Sequence, residues 1–160
     1  MKMTLRWFGE GFDSVKLWQI RQIPGVAGVV SGLYDAVPGA EWESGAISRL
    51  KEQIGNAGLQ LLGIESVNVC DAIKVGAPDR DFYIENYIRT VKKLGAAGIP
   101  MICYNFMPVF DWTRSELQKQ RPDGATVMAY DQRLIDRIDP AAMFEHMDTG
   151  SNGFRLAGWE

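Results

Sequence analysis

Short apolar runs alternate with stretches of helical periodicity along the first two thirds of the chain. Four runs have the composition of β-strands. They are Thr4–Phe8, Val26–Leu33, Leu59–Val67 and Met101–Phe106. Between them, apolar side chains recur with the period of a helix over Ser14–Gln22, from Ser44 to a stop signal at Gly58, and over Asp79–Ala97. Strands that alternate with helices predict an α/β fold with a parallel sheet and right-handed crossovers.

The last third of the chain has a different pattern, without a clear strand to extend the sheet. Arg121–Asp131 contains the Asp-Gly pair of a small hairpin, and Asp139–Met147 has the capping residues of a short helix. A long excursion of this kind is typical of active-site lids. We therefore predict one domain over 1–160, with four βα units in 1–106 and a lid-like excursion in 107–160.

Composition and charge exclude several classes of protein. Hydrophobic residues make up 46% and charged residues 23% of the chain, as in soluble globular proteins. A net charge of −3 argues against a nucleic-acid partner, which normally requires a basic surface. No run approaches the ~20 apolar residues of a membrane span, and no secretory signal is visible. We expect a cytoplasmic protein whose two cysteines, Cys70 and Cys103, are reduced thiols.

Polar side chains at the predicted strand ends are the candidate site, because parallel α/β folds bind ligands at the carboxyl ends of their strands. Glu65 and Ser66 end the third strand, and Asn105 ends the fourth. A carboxylate in an apolar run needs a partner, so Glu65 serves either a polar role at the sheet's mouth or an internal ion pair. Asn105 both donates and accepts hydrogen bonds, which suits sugar hydroxyl groups.

The first strand carries Arg6 and Trp7, each of which has two interpretations. The Arg6 guanidinium reaches either the bottom rim of the sheet or the carboxylate of a substrate. Trp7 either packs in the core, the favoured role, or stacks on a sugar. His146 is the one histidine and is expected to be a surface residue, and Cys103 is expected to pack in the core. No pair of residues has a convincing metal-ligand spacing.

The stretch after the fourth strand places aromatic, apolar and charged residues close together. It contains Asn105, Phe106, Met107, Pro108, Phe110, Asp111, Trp112 and Arg114. We predict a rigid aromatic rim that excludes water from a pocket at the strand end. The alternative is a hydrophobic patch on which the long loop docks, which accounts less well for the neighbouring Asn, Asp and Arg.

Several strings resemble the mannonate dehydratase family, in the same order and over essentially all 160 residues. They are LRWFG (Leu5–Gly9), IRQIPGVAGVVSGL (Ile20–Leu33), GLQLLGIESV (Gly58–Val67), DAIKVG (Asp71–Gly76), NYIRTVKKLGAAGI (Asn86–Ile99), CYNFMPVFDWTRSEL (Cys103–Leu117) and GFRLAGWE (Gly153–Glu160). The resemblance implies a hydro-lyase that converts D-mannonate to 2-keto-3-deoxy-D-gluconate in hexuronate breakdown. It also implies a (β/α)₈ TIM barrel of roughly twice this length.

The same resemblance implies Mn²⁺ or Fe²⁺, bound by His, Cys, His and Asp ligands outside this chain. We therefore expect the N-terminal half of a homo-oligomeric enzyme, inactive by itself, acting on a small sugar acid. The residues predicted to bind that substrate are Arg6, Trp7, Glu65, Ser66 and Asn105, and no catalytic residue is assigned. Cys70 stands where the family is expected to carry a histidine, so no role of that imidazole is transferred.

Three other interpretations remain open at this point. A sugar isomerase or epimerase of the same barrel superfamily would share the strand-end carboxylates and a divalent ion, since fold alone does not decide function. A truncated chain without catalytic activity, or one that associates through open strand edges, would also fit. So would a complete four-stranded α/β protein whose tail wraps an edge of the sheet.

Overall fold

A computed structural model of the chain describes residues 1–103, 106 and 114–137. The chain divides into two compact units, Met1–Phe106 and Met107–Glu160. The division falls where the sequence predicts the start of the lid-like excursion. The assignment of all 160 residues to a single domain stays a prediction, and each unit is described by itself.

The first unit is an α/β structure, as the alternating pattern predicts. Its strands are β1 (Met3–Arg6), β2 (Val26–Ser31) and β3 (Gln60–Ile64), and its helices are α1 (Leu17–Arg21), α2 (Ser44–Asn56), α3 (Asp71–Lys74) and α4 (Arg80–Ala96). The first three predicted strands and the three predicted helices of this unit are present; all are shorter than predicted, and β1 begins one residue earlier. Helix α3 was not predicted, because one turn is too short to reveal a helical period.

The sheet of the first unit is parallel, and its strands lie side by side in chain order, β1–β2–β3. Leu5 lies opposite Val29, which lies opposite Leu61. Each connection between neighbours passes through a helix, as parallel pairing requires. The carboxyl ends of the three strands therefore meet along one edge of the sheet.

The predicted fourth strand joins this sheet only as a bridge among the residues that the structure describes. Ile102 forms a parallel bridge with Ile64. The Ile64 N–H donates to the Met101 carbonyl oxygen at 2.9 Å, and the Cys103 N–H donates to the Ile64 carbonyl oxygen at 2.8 Å. The chain thus continues the order of the sheet beyond β3.

An apolar core fills the space between the sheet and the helices. Its fully buried side chains include Trp7, Ile20, Val29, Ile47, Ile54, Ile64 and Leu94. Helix α2 contributes Ile47, Leu50 and Ile54, which recur at helical spacing and are buried. The helix ends at Asn56, and Gly58 follows with φ +75°, a conformation that glycine adopts without steric cost. The end of this helix near Gly58, which the sequence predicts, is therefore confirmed.

Helix α4 fixes the loop between β2 and α2 through buried polar side chains. The Thr90 hydroxyl oxygen accepts a hydrogen bond from the Trp42 N–H at 3.0 Å, and the Asn86 amide donates to the Gly39 carbonyl oxygen at 2.9 Å. Thr90 and Asn86 are both buried. Removing either partner would leave a buried polar group unpaired, which is unfavourable.

The same loop is held by a carboxylate between two cations. Glu41 lies 2.6 Å from the Lys93 ammonium and 2.6 Å from the Arg89 guanidinium. The hydrogen bond from Lys93, followed by that from Arg89, lowers the pKa of Glu41 below its ordinary value. The loop therefore has an ionic as well as a hydrogen-bonded attachment to α4.

Both cysteines are free thiols, in agreement with the sequence-based prediction. Cys70 is buried at the start of α3, whereas Cys103 is half-buried beside the bridge at Ile102. Within the described part of the chain, no helix combines the length and apolar character that crossing a bilayer demands. The expectation of a cytoplasmic location is not tested by either observation.

The second unit contains an antiparallel hairpin and a short helix in its described residues. They are β4 (Glu116–Gln120), β5 (Thr126–Ala129) and α5 (Gln132–Ile135). The Asp-Gly hairpin is confirmed, since Gly124 occupies the turn with φ +83°. Strand β4 was missed because its sequence, ELQKQ, is almost entirely polar. The predicted helix Asp139–Met147 lies outside the described residues.

The lowered pKa of Glu41 makes a prediction for stability against pH. The native pKa lies below the ordinary value of 4.5, so this carboxylate stabilises the fold above that pH. The stabilisation is lost as the pH falls through the native pKa. We expect Glu41→Gln to lower the urea unfolding midpoint at pH 7, with the difference from the wild type closing as the pH falls below 4.5.

A matched control is Glu52→Gln, which alters an exposed carboxylate on α2. This variant should show no such pH-dependent difference. A Glu41→Gln midpoint equal to that of the wild type at pH 7 would contradict the assigned role of the ion pairs.

Candidate active site at the strand ends

An ion pair joins the carboxyl ends of β1 and β3. Arg6 is the last residue of β1, and Glu65 follows the last residue of β3. Their side chains meet with 3.3 Å between Nη1 and Oε1, and they are 43% and 30% exposed. The structure therefore places Arg6 at the strand ends rather than at the bottom rim. Glu65 forms an ion pair, but the pair lies at the strand ends and is accessible to solvent instead of internal, so a polar role at the sheet's mouth stays a prediction.

Aromatic rings support the ion pair from one side. The Arg6 guanidinium carbon lies 4.1 Å from the centroid of the Phe8 ring. Phe8 packs in turn against Tyr34, with 5.7 Å between ring centroids, and Phe12 approaches Tyr34 at 6.2 Å. Phe8 and Phe12 belong to the β1–α1 loop and Tyr34 to the β2–α2 loop. Two neighbouring loops thus form one aromatic cluster beside the cation.

The Tyr34 hydroxyl lies within this cluster and is buried. It makes no hydrogen bond of normal geometry with any residue in the described ranges. Burial raises the pKa of Tyr34 above its ordinary value of 10, and the nearby Arg6 side chain opposes that rise. The hydroxyl is therefore protonated at neutral pH.

Ser31 and Trp7 lie beneath the cluster and serve packing. Ser31 is fully buried, and its hydroxyl donates to the Trp7 carbonyl oxygen at 2.7 Å. The Trp7 ring is also fully buried, and its indole N–H donates to the Val15 carbonyl oxygen at 3.2 Å. A ring without an exposed face favours the packing interpretation of Trp7. Its assignment as a substrate-binding residue stays a prediction.

The other predicted site residues are only partly described. Ser66 is half-buried beside Glu65, and its hydroxyl donates to the Asn68 side-chain oxygen at 3.3 Å. Asn105 lies outside the described residues, as does His146. The same is true of most of the predicted aromatic rim, in which Phe106 and Arg114 alone are described. The structure therefore brings Arg6, Glu65 and Ser66 to one edge and leaves Asn105 as a prediction.

An open groove lies next to the aromatic cluster. Its volume is about 370 Å³, within the ~300–1,000 Å³ typical of small-molecule sites. The two loops contribute Phe8, Phe12 and Tyr34 to its walls, and α2 contributes Arg49 and Gln53. Aromatic walls with a few polar groups suit a small polar ligand.

A metal site does not form within the described part of the chain. Across 1–103, 106 and 114–137, no three His, Cys, Asp or Glu side chains converge in a way that could hold an ion. Glu65 is paired with Arg6, and Cys70 is buried at the N-terminus of α3. These residues by themselves do not fit a first-row divalent metal, which prefers several imidazole, thiolate or carboxylate ligands.

Phe8 and Tyr34 were not among the predicted site residues. Phe8 ends the first predicted strand and Tyr34 directly follows the second, so the strand-end rule that selected Glu65 applied to them equally. Aromatic residues were considered as packing residues instead, apart from Trp7 and the run after Asn105. Their contact with Arg6 depends on two loops meeting, which periodicity along one segment does not reveal.

The exposure of the Arg6–Glu65 pair predicts a small contribution to stability. Half-exposed ion pairs contribute at most about 1 kcal/mol, because water screens them. A double-mutant cycle with Arg6→Gln, Glu65→Gln and both together should give a coupling free energy below ~1 kcal/mol in urea unfolding. Thr90→Val serves as a comparison, since it removes a buried acceptor and should cost about 1–3 kcal/mol. A coupling free energy of several kcal/mol would instead show that the ion pair stabilises the fold.

The chain matches known proteins over its whole length. The sequence model of the family described as D-mannonate dehydratase (UxuA) matches residues 1–160. A mannonate dehydratase of Brachyspira hyodysenteriae is 61% identical over 160 residues, which are 100% of this chain and 45% of that protein. One of Geobacillus thermodenitrificans is 53% identical, again over 100% of this chain and over 43% of its own length.

A solved structure is also similar. The crystal structure of mannonate dehydratase from Streptococcus suis serotype 2 superposes with a TM-score of 0.83 at 44% sequence identity. The match covers 94% of this chain and 44% of that one. The chain therefore spans less than half the length of the relatives that it matches.

Proposed function

Because the chain belongs to the D-mannonate dehydratase family, we propose that it supplies the N-terminal part of a hydro-lyase that converts D-mannonate to 2-keto-3-deoxy-D-gluconate and water. The match of the family model to residues 1–160 is the observation that carries this proposal. The reaction belongs to hexuronate breakdown, with a cytoplasmic location and a homo-oligomeric state for the full-length enzyme.

The order of the sheet supports a (β/α)₈ barrel as the architecture of the whole protein. Strands that neighbour one another in chain order, β1–β2–β3 and then Ile102, follow the order of such a barrel. A doubly wound sheet would instead reverse its strand order at a switch point. In a barrel, the carboxyl ends of the strands form the active-site face, where Arg6 and Glu65 lie.

The chemistry of the reaction explains why a cation and a carboxylate would lie together there. Dehydration removes the proton at C2, beside the substrate carboxylate, and expels the hydroxyl group at C3 as water after protonation. A guanidinium presents five N–H donors, so Arg6 can hold Glu65 and still bind the substrate carboxylate. Glu65 can accept a hydrogen bond from a sugar hydroxyl group. These two residues bind and orient the substrate.

The aromatic cluster contributes to the same site by excluding water. Phe8 lies against the cation, Tyr34 packs against Phe8, and Phe12 approaches Tyr34. Electrostatic interactions strengthen where water is excluded, so a carboxylate that reaches Arg6 binds more firmly there than on an open surface. Ser66 and Asn105 are proposed as further polar contacts for sugar hydroxyl groups.

Mn²⁺ or Fe²⁺ is proposed as the cofactor on the ground of the family resemblance. The described residues do not provide its ligands, so the metal site would be formed by other parts of the full-length protein. No step of the proposed chemistry is assigned to the metal here. The roles of Arg6 and Glu65 are binding and orientation and do not depend on it.

Reassembly of a split enzyme tests the proposal. The chain would be expressed together with the part of the Brachyspira hyodysenteriae relative that lies outside its matched 45%. The two parts should form a complex that converts D-mannonate, in the presence of Mn²⁺, to a 2-keto-3-deoxy acid detected by NMR. Each part alone should give no product.

Two results would contradict the proposal. A stoichiometric complex that leaves D-mannonate unchanged would exclude a dehydratase built on this chain. A product with the same mass as D-mannonate would show isomerisation or epimerisation instead of loss of water.

A further inference from the structure

The Arg6 side chain contacts Glu65 and Phe8, and these two contacts restrict its guanidinium group in different ways. Glu65 contacts one nitrogen of the guanidinium at 3.3 Å, in an ion pair that is partly exposed to solvent. A single contact of this kind does not fix the plane of the group, and such pairs exchange readily with water. The guanidinium carbon lies over the Phe8 ring, 4.1 Å from its centroid, and this cation–π contact restricts where the group can lie.

Phe8 is itself held in place by contacts with Tyr34 and Asp13. Its ring packs against Tyr34 with 5.7 Å between centroids and a tilt of 32°. Its backbone N–H donates to the Asp13 carboxylate at 3.2 Å. Phe8 is nevertheless 39% exposed, more than a ring used only to fill a core would be. A half-exposed ring with a fixed orientation is suited to support another group.

We infer that Phe8 is a positioning residue, whose ring face holds the Arg6 guanidinium in the orientation that binds the carboxylate of a sugar acid. This inference rests on the proposed function for the identity of the ligand. An arginine side chain is long and flexible, and a ligand that has to order it loses affinity. A guanidinium already held in place over the ring can present two parallel N–H groups along one edge, which matches a carboxylate.

Three variants of the chain test the inference. Phe8→Leu removes the ring face but keeps an apolar side chain, and Phe8→Trp restores a ring. Phe82→Leu is the matched control, because Phe82 is a 62% exposed ring on α4 that packs only against Tyr83 among the described aromatic residues. Phe8 and Phe82 are both partly exposed, so all three variants are expected to fold.

The first readout is the NMR signal of the Arg6 side chain, assigned by comparison with Arg6→Lys. The NMR signal of a proton above the face of an aromatic ring is shifted upfield. The Arg6 signal should therefore lose this shift in Phe8→Leu and regain it in Phe8→Trp.

The second readout is titration of each variant with sodium D-mannonate. Affinity should fall about threefold in Phe8→Leu, as expected for a lost cation–π contact, and should recover in Phe8→Trp. Phe82→Leu should change neither readout.

Each contrary result overturns a stated part of the inference. An unchanged Arg6 signal in Phe8→Leu would show that the ring does not hold the guanidinium. A changed signal with unchanged affinity would show that the orientation does not matter for binding, and would leave the proposed function intact. Absence of D-mannonate binding by the wild-type chain would exclude the sugar acid as the ligand of this held arginine. The proposed function would then be judged separately, by turnover of the reassembled enzyme.

Discussion

Parallel pairing of strands in chain order is the constraint on which the candidate site depends. Each strand runs in the same direction as its neighbour, so every carboxyl end reaches the same edge of the sheet. Arg6 and Glu65 are far apart in sequence, and only β2 separates their strands. The ion pair between them is a direct consequence of this order. A hairpin connection between β1 and β2 would have turned the polar ends in opposite directions.

The helix layer extends this constraint to the loops. The β2–α2 loop begins beside the ion pair with Tyr34 and ends at Trp42, where hydrogen bonds and ion pairs fix it to α4. Glu41 lies between two cations of that helix. One loop therefore links the packing of α4 to the aromatic cluster around Arg6. Loops anchored in this way hold binding residues in place without using the core of the sheet.

The sequence predicted the features that local pattern determines. The apolar run of β2 and the period of α2 identified both elements, and the turn at Gly124 identified the hairpin. Strand β4 was missed because a polar, two-stranded hairpin carries no apolar alternation. Arg6 and Glu65 were each predicted as site residues, but their pairing was not, because it depends on strand order. The contact of Phe8 with Arg6 depends on the geometry of the loops, which the periodicity of the sequence does not reveal.

We propose that Arg6 lies at the strand ends to bind a ligand and contributes little to the stability of the fold. The most direct test is the kcat/KM of the reassembled enzyme for D-mannonate when the chain carries Arg6→Gln. We expect kcat/KM to fall by about tenfold or more, because a charged hydrogen bond to the substrate is lost. The urea unfolding midpoint of the chain should stay nearly unchanged. An unaltered kcat/KM would contradict the claim.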